Sequence, residues 1–416
     1  MFSNILEKRE LSNIPLTDKQ ALSIFGITQD GVNVSANTAM NHTTVYTCVN
    51  VKAQGISSVP LNFYKETKNG REKAKTHPLY NILHSQANPL MTSATWREMV
   101  VQDLELRGTH FSQIVRNNGG QIVALYPLIH DNMDITLSVT DKNIPSIKYE
   151  YTISADNSNK GKRVFKNNEI LRIVGLPSDN GILGVTPITQ NANSIKLGMQ
   201  TEIFGNKFFE NGANGSGILS TDGEFKTQDQ VDRIKSQFGE KYAGLSNSKK
   251  PIVLEAGLKW QPITISNNDS QFLETRQYQK SDIASIFRVS PHLINDLKNA
   301  TFSNITELSL EHVKFCLMPV AVKIEAAIYS QLLTDSEKLE YFAEFNFDGL
   351  MRGDFKTRTE GYKNAINGGY MTPNEVRKKE NLNTDEFGDK LLMQIQYATL
   401  ENIEKGNLNE NTNTSI

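Results

Sequence analysis

Cysteine is scarce: only Cys48 and Cys316 occur in 416 residues, far apart and each inside an apolar run. Such a pair argues against a disulfide framework and for a reducing compartment, with both thiols acting as small buried hydrophobes. Long hydrophobic runs are missing too. No stretch approaches the ~20 apolar residues a membrane span needs. The N-terminal Met-Phe-Ser-Asn-Ile-Leu-Glu-Lys-Arg-Glu has neither the apolar core nor the cleavage site of a signal peptide. The expectation is a chain made and used in a cytoplasm. Charge of one sign is lacking as well: 44 Lys and Arg against 46 Asp and Glu leave a net −2. A protein that holds nucleic acid by its phosphates shows a basic excess on at least one face, so a generally basic binder is disfavoured.

Catalytic motifs are equally sparse. The seven histidines, 42, 77, 84, 110, 130, 292 and 312, form no HExxH and no close His/Cys cluster, so no zinc site is expected. Gly161-Lys162 lacks the glycine and the Ser/Thr of a phosphate loop. The glycine-rich 211–217 segment ends a helical pattern and feeds a strand, the reverse of a phosphate cradle. There is no GxSxG, and no pair of carboxylates stands out. Neither a catalytic residue nor a cofactor or metal site is expected. The basic clusters Lys249-Lys250 and Arg377-Lys378-Lys379 read first as solvated faces.

What is present is a sequence of elements. Residues 1–42 are polar and weakly periodic, the signature of a flexible arm. Thr43–Ser58 reads as a helix with Val45, Cys48, Val49, Lys52, Ala53 and Ile56 on one face, ended by Pro60. Thr92 is placed to cap a helix starting near Ala94, which carries Trp96, Val100 and Leu104 and which Gly108 closes. Phe111–Arg116 and Ile122–Tyr126 flank Asn117-Asn118-Gly119-Gly120, a hairpin signal. Short strands follow between Ile135 and Ile173, so the first 180 residues look α+β.

Thr186-Pro187 opens a long helix with Ile188, Ala192, Ile195, Met199 and Ile203 on one stripe, and Leu197, Phe204 and Phe208 on a second. At 1.5 Å per residue it would extend roughly 37 Å, long for a globular domain. Residues 213–266 form an insertion, read as strands near Gly217–Leu219, Pro251–Glu255 and Leu258–Ile265 around a helix at Thr227–Tyr242. Asn268-Asp269 caps a second long helix, mostly polar from Glu274 to Asp282. The polar loop 291–304 comes next. Ile305–Leu333 is apolar nearly all round, the pattern of a buried helix, and Pro319 should kink it. Tyr341–Asp348 alternates as a strand. Two helices occupy 354–380, and the tail from Gly406 is rich in Asn and Thr.

The order of several of these fragments resembles one family, the HK97-like portal proteins of tailed bacteriophages. The fragments are Val45-Tyr-Thr-Cys-Val-Asn50, Ser58-Val-Pro-Leu61, His77-Pro78-Leu79, Asn88-Pro89 before Trp96, Leu104-Glu-Leu-Arg-Gly108, Gly184-Val-Thr-Pro187 and Phe208-Phe-Glu-Asn-Gly212. Then come the 272–319 stretch, with Ile283-Ala284-Ser285-Ile286-Phe287-Arg288-Val289-Ser290-Pro291 at its centre, and Thr372-Pro-Asn-Glu-Val-Arg377. The resemblance covers residues 43–400, nearly the whole chain.

It implies an α+β portal fold that assembles into a ring, twelve subunits by the family pattern, around a central channel. Residues 43–186 and 305–352 would be wing, 187–212 and 267–290 the two stem helices, and 213–266 the clip. Residues 291–304 would be the tunnel loop and 353–405 the crown, with 406–416 a disordered tail. The implied function is a head-tail connector, at one capsid vertex of the virion, through which double-stranded DNA is packaged and ejected, and not an enzyme. Near-neutrality suits a conduit that DNA must slide through. In the tunnel loop Asn295, Lys298, Asn299, Thr301, Ser303 and Asn304 would touch DNA, and Lys249 and Lys250 would lie on the clip's partner surface. Implied partners are copies of the chain, the terminase large subunit, the major capsid protein and scaffold, and a head-tail adaptor, met first in the host cytoplasm. Two alternatives stay open: another phage head or neck structural protein, and an unrecognised nucleic-acid enzyme.

Overall fold

Alternating and helical apolar patterns close to one another in sequence call for a layered α+β unit. The computed structural model describes residues 34–68, 70–139, 145–155, 159–179, 181–210, 217–221, 229, 232, 233, 236, 258–262, 268–296, 305–351, 355–380 and 382–392. The chain divides into two units, 1–346 and 347–416. Readings that fall elsewhere lie outside the described residues. They are residues 1–33 of the arm expected over 1–42, most of the Thr227–Tyr242 helix, the Pro251–Glu255 strand and the C-terminal tail. The rest of the expected arm is instead folded, with a capped helical turn at Ala36–Ala39 and with Val34, Ala39 and His42 buried.

In the first unit, helix α1 (Thr43–Ser58) buries Val45, Cys48, Val49, Lys52, Ala53 and Ile56, the face the spacing assigned. Strands β1 (Leu61–Thr67) and β2 (Gly70–Lys73) follow. Helix α2 (Pro78–His84) is next, with His77 Nδ1 accepting from Leu79 N at 3.2 Å. Helix α3 (Ser93–Arg107) begins where Thr92 accepts from Thr95 N at 3.1 Å and ends at Gly108, whose φ is +78°. Gly108 is needed twice over. Its left-handed conformation favours glycine, and a Cβ on it would collide with the carbonyl of Gly184. α1 packs on α3, and buried Arg97 ties the layer together. It donates to Ser93 Oγ at 2.6 Å, to Leu83 O at 3.1 Å and to Ser57 O at 2.9 Å. Burial draws its pKa down to about 10.

Three small antiparallel sheets complete the layer. β3 (Thr109–Arg116) lies between β4 (Ile122–Pro127) and β8 (Ile170–Val174). The turn joining β3 to β4 is an Asn turn, with Asn117 Oδ1 accepting from Gly119 N and Gln121 N, both at 3.0 Å. β5 (Met133–Val139), β6 (Pro145–Ala155) and β7 (Asn159–Phe165) form the second sheet in sequence order. Its core holds Phe111, Met133, Ile135, Tyr149, Phe165 and Ile170. In the third sheet β1 pairs on one side with β2 and on the other with the distant β13 (Tyr341–Phe345), in register Leu61↔Phe345. The two-residue strands β9 (Leu176–Pro177) and β10 (Gly184–Val185) pair beside Gly108.

Thr186-Pro187 opens a helical turn, Pro187–Gln190, with Thr186 Oγ1 accepting from Thr189 N at 2.9 Å. The single helix expected here is instead interrupted at Asn191 (φ −119°, ψ 30°) before α4 (Ala192–Glu210). β11 (Gly217–Thr221) and β12 (Leu258–Pro262) pair, and α5 (Asn268–Ile286) returns. The apolar stretch after the loop is also segmented: α6 (Ile305–His312), a π turn over Val313–Leu317, and α7 (Met318–Leu332). Pro319 sits in the first turn of α7, where its missing N–H costs little. The irregularity expected at Pro319 therefore falls just before it. The expectation of burial all round is corrected as well: one face is inside and the other is open, with Phe315 and Val322 exposed.

In the second unit α8 (Phe355–Asn367) and α9 (Pro373–Lys379) stand close to the expected bounds. Thr372 and Glu375 make a capping box. Arg377-Lys378-Lys379 occupy the last turn of α9, where cations oppose the helix dipole. Buried Asn374 donates to Asp385 O at 2.7 Å and to Asp389 Oδ1 at 2.8 Å, fixing the following segment.

Candidate functional site

Two features of the first unit stand apart from its core: a pair of long helices, and the base of the polar loop. α4 and α5 are joined near one end. Ser194 Oγ donates to Asp282 Oδ2 at 2.5 Å, and Ile195 and Ile283 are buried there. Ser194 lies at the start of α4 and Asp282 near the end of α5, so the two helices run antiparallel. Gly198 makes the close approach possible, since a Cβ there would meet Ile283 Cδ1 at 3.2 Å, and also His42 Nε2 at 2.8 Å. That imidazole accepts from Thr44 N at 3.3 Å to cap α1, and it lies 3.7 Å from Glu202. Away from this root both helices are exposed, α4 at residues 203–204 and 206–207 and α5 over 274–278. Of the polar middle read over Glu274–Asp282, residues 274–278 are exposed, whereas Gln279 is buried and Ser281 and Asp282 are hydrogen-bonded.

The loop leaves α5 through two left-handed residues. Val289 N donates to Ala284 O and Arg288 N to Ser285 O, both at 3.0 Å. This is the six-to-one bonding of a helix end, with Arg288 at φ +57° where glycine is usual. Phe287 and Val289 are buried on either side and hold it there. Residues 291–294, expected as loop, form a 3-10 turn with Ile294 buried. Asn295, also at φ +57°, ends the turn; asparagine tolerates that conformation. Ser281 Oγ donates to Asp296 Oδ2 at 2.9 Å, fastening the turn back onto α5. Asn295 is exposed at the exit of this anchor. Lys298, Asn299, Thr301, Ser303 and Asn304 lie outside the described residues, as do Lys249 and Lys250.

Two histidines sit on opposite sides of that loop in sequence, His292 in the turn and His312 at the end of α6. Both ring nitrogens of His292, and Nδ1 of His312, are buried without a hydrogen-bond partner. Burial first, then the neighbouring His292 and Lys52, draws His312 down to about 4. Behind them Lys52 of α1 and Glu105 of α3 form a buried ion pair. It lines a cavity of about 230 Å³ with Arg288, Phe315 and Lys323, whose Nζ donates to Gly175 O at 2.6 Å. The sequence marked Lys52 only as one position of an apolar face. A lysine there implies a buried partner, which is the signal that could have found Glu105. Nothing in the sequence joins His292 to His312.

Among the described residues no three His, Cys, Asp or Glu side chains come together as a metal cluster. Both cysteines are free, and burial pushes Cys48 up to about 12 and Cys316 up to about 11, leaving protonated, inert thiols. Among the same residues no helix is long and apolar enough to cross a membrane.

Comparison with known proteins places this geometry. The family described as Phage portal protein matches residues 43–381. The portal protein of Enterobacteria phage HK97 is 29% identical over 364 residues, 86% of this chain and 83% of that one. The probable portal protein of Streptomyces phage phiC31 is 26% identical over 90% of this chain and 82% of its own length. Among solved structures, the neck of a native gene transfer agent particle computed with C12 symmetry superposes with a TM-score of 0.58. That match covers 90% of this chain and 97% of the other at 19% identity. An HK97-family phage portal protein from Corynebacterium diphtheriae superposes with a TM-score of 0.55, at 16% identity over 76% of this chain and 97% of that one.

Proposed function

The chain belongs to the phage portal protein family, in the branch of the HK97 portal, and from that membership we propose how it works. Twelve copies form a ring at one capsid vertex of the virion, and double-stranded DNA is packaged and ejected through its centre. The observation that carries this reading is the antiparallel helix pair α4–α5, rooted at Ser194–Asp282 and exposed beyond it. Such a pair suits a wall that touches neighbours on its sides and water on its inner face. The similarity of fold to a neck with C12 symmetry supports the subunit number.

On this reading residues 187–212 and 267–290 are stem, and 213–266 are the clip, which offers Lys249 and Lys250 to the terminase large subunit and later to a head-tail adaptor. Residues 43–186 and 305–352 are wing, facing the major capsid protein, with scaffold present during assembly in the host cytoplasm. Residues 353–405 are the crown. The protein does no bond chemistry: the motor hydrolyses ATP, and the portal is the aperture it works against. The loop 291–304 meets the passing DNA. It is held at its base by Ile294 and by Ser281–Asp296, so what lies beyond can move without opening a core. Asn295, Lys298, Asn299, Thr301, Ser303 and Asn304 touch phosphates weakly and without regard to sequence. One lysine per copy becomes a ring of charge when the subunit is repeated around the axis.

Replacing Lys298 with Glu reverses that ring of charge. The expected outcome is a several-fold loss of DNA-filled particles, with ring assembly intact in electron-microscope class averages. A normal yield of filled particles would remove Lys298 from the DNA contact.

A further inference from the structure

The sequence of 305–333 has the pattern of a helix apolar all round, yet the folded chain buries only one side of it. Inside are Val313, Cys316, Leu317, Val320, Ala321, Ile324, Ala327, Ile328 and Leu332. Outside, Phe315 is 58% exposed, Val322 56%, Tyr329 42%, and Leu310 and Met318 38% each. These five lie along one side of the stretch and are not scattered. In an α-helix a step of four residues drifts by about 40°, so inner positions four apart would wind off the core. The π turn over 313–317 adds a residue per turn and takes the drift back. Positions 312, 316 and 320 thus stay inside while Phe315, Met318 and Val322 stay outside. The local geometry keeps an apolar stripe in line on the open face.

We propose that this stripe is the seat of the neighbouring copy of the same chain, an inference that rests on the ring reading above. The exposed parts of the five side chains amount to on the order of 400 Å². That is near the size at which an apolar patch marks an interaction site, and about half of the ~800 Å² one partner gives to a standard interface. The flanks are charged, with Glu307, Glu311 and Lys314 exposed, the polar rim expected around an apolar interface centre. DNA is a poor occupant, since the one lysine on these flanks, Lys314 over the Phe315 ring, is outweighed by Glu307 and Glu311. A rotational contact joins two different patches of one chain. The first unit carries a second such patch in Leu197 and Phe204, seven residues apart on α4 and 52% and 61% exposed.

The test uses the full chain with Val322→Cys, both native cysteines being buried. Maleimide labelling of the added thiol is followed in the monomer and in the assembled ring, with ring content read by native mass and class averages. Labelling should be fast in the monomer and slowed at least tenfold in the ring. In parallel, Val322→Glu should melt at the wild-type temperature but lose rings at concentrations where wild type forms them, while Val322→Leu keeps them. Rings that label as fast as monomer, or rings of Val322→Glu at wild-type yield, overturn this inference and leave the ring reading standing. Slow labelling in the monomer that deletion of 1–33 relieves would show the chain's own arm on the stripe and overturn it as well. A wild type that forms no ring under any condition overturns the ring reading itself.

Discussion

Helices α1 and α7 are both rich in apolar residues, and both lie against the same buried charges, yet the fold treats them differently. The buried face of α1 is sealed by α3 and the loop base, and its lysine is matched inside by Glu105. α7 is sealed on one side only, and its other side keeps Val322 and Tyr329 in water. A helix completed by its own chain records folding in its sequence. A helix left half open records something the isolated subunit does not contain. Substitutions on α1 should therefore act on stability, and substitutions on the outer face of α7 on assembly.

The largest effect should come from breaking the pair under α1. Glu105→Ala strands the Lys52 ammonium in the core and should cost ~3–5 kcal/mol in urea unfolding. The double replacement Lys52→Met with Glu105→Leu should recover most of that loss; no recovery would mean that packing, not charge, sets the penalty. The two faces of α7 give the next test. Ile324, fully buried, should cost ~2–5 kcal/mol when cut to Ala, whereas Val322→Ala should stay within ~0.5 kcal/mol for the monomer. Equal losses would erase the distinction between the faces. A graded effect, spread over pH, is that of His312. Its folded pKa, about 4, lies below the 6.5 of a free histidine, so the unfolded chain binds the proton first. Stability is full above pH 6.5 and falls toward pH 4 by up to ~1.4 kcal/mol per pH unit. His312→Gln should flatten that slope in a pH series of unfolding curves.

The same contrast explains how much could be read before the fold was known. α1 was legible to the residue and α3 to within one, because Thr92, Gly108 and the spacing from Val45 to Ile56 act locally. The start at Thr186-Pro187 was legible for the same reason. The interruption at Asn191, the π turn and the open face of α7 were not, since each depends on what packs against the chain and not on its own propensities. Of the candidate site, the sequence marked the polar stretch 291–304, of which 291–294 fold instead as a 3-10 turn and Asn295 is exposed. Its anchoring by Ile294 and Ser281, and the meeting of His292 with His312, are tertiary facts without a local signature.

The β11–β12 ladder carries a consequence of a different kind. Thr221 pairs with Leu258, so the chain departs into 222–257 and comes back at one place, with the two ends about 5 Å apart as in any antiparallel pair. Whatever lies between them hangs from a closed doorway. Its length and content can change over generations without altering the distance the rest of the chain must span. That makes this segment a natural place for portal lineages to differ in length and sequence while the scaffold stays as it was.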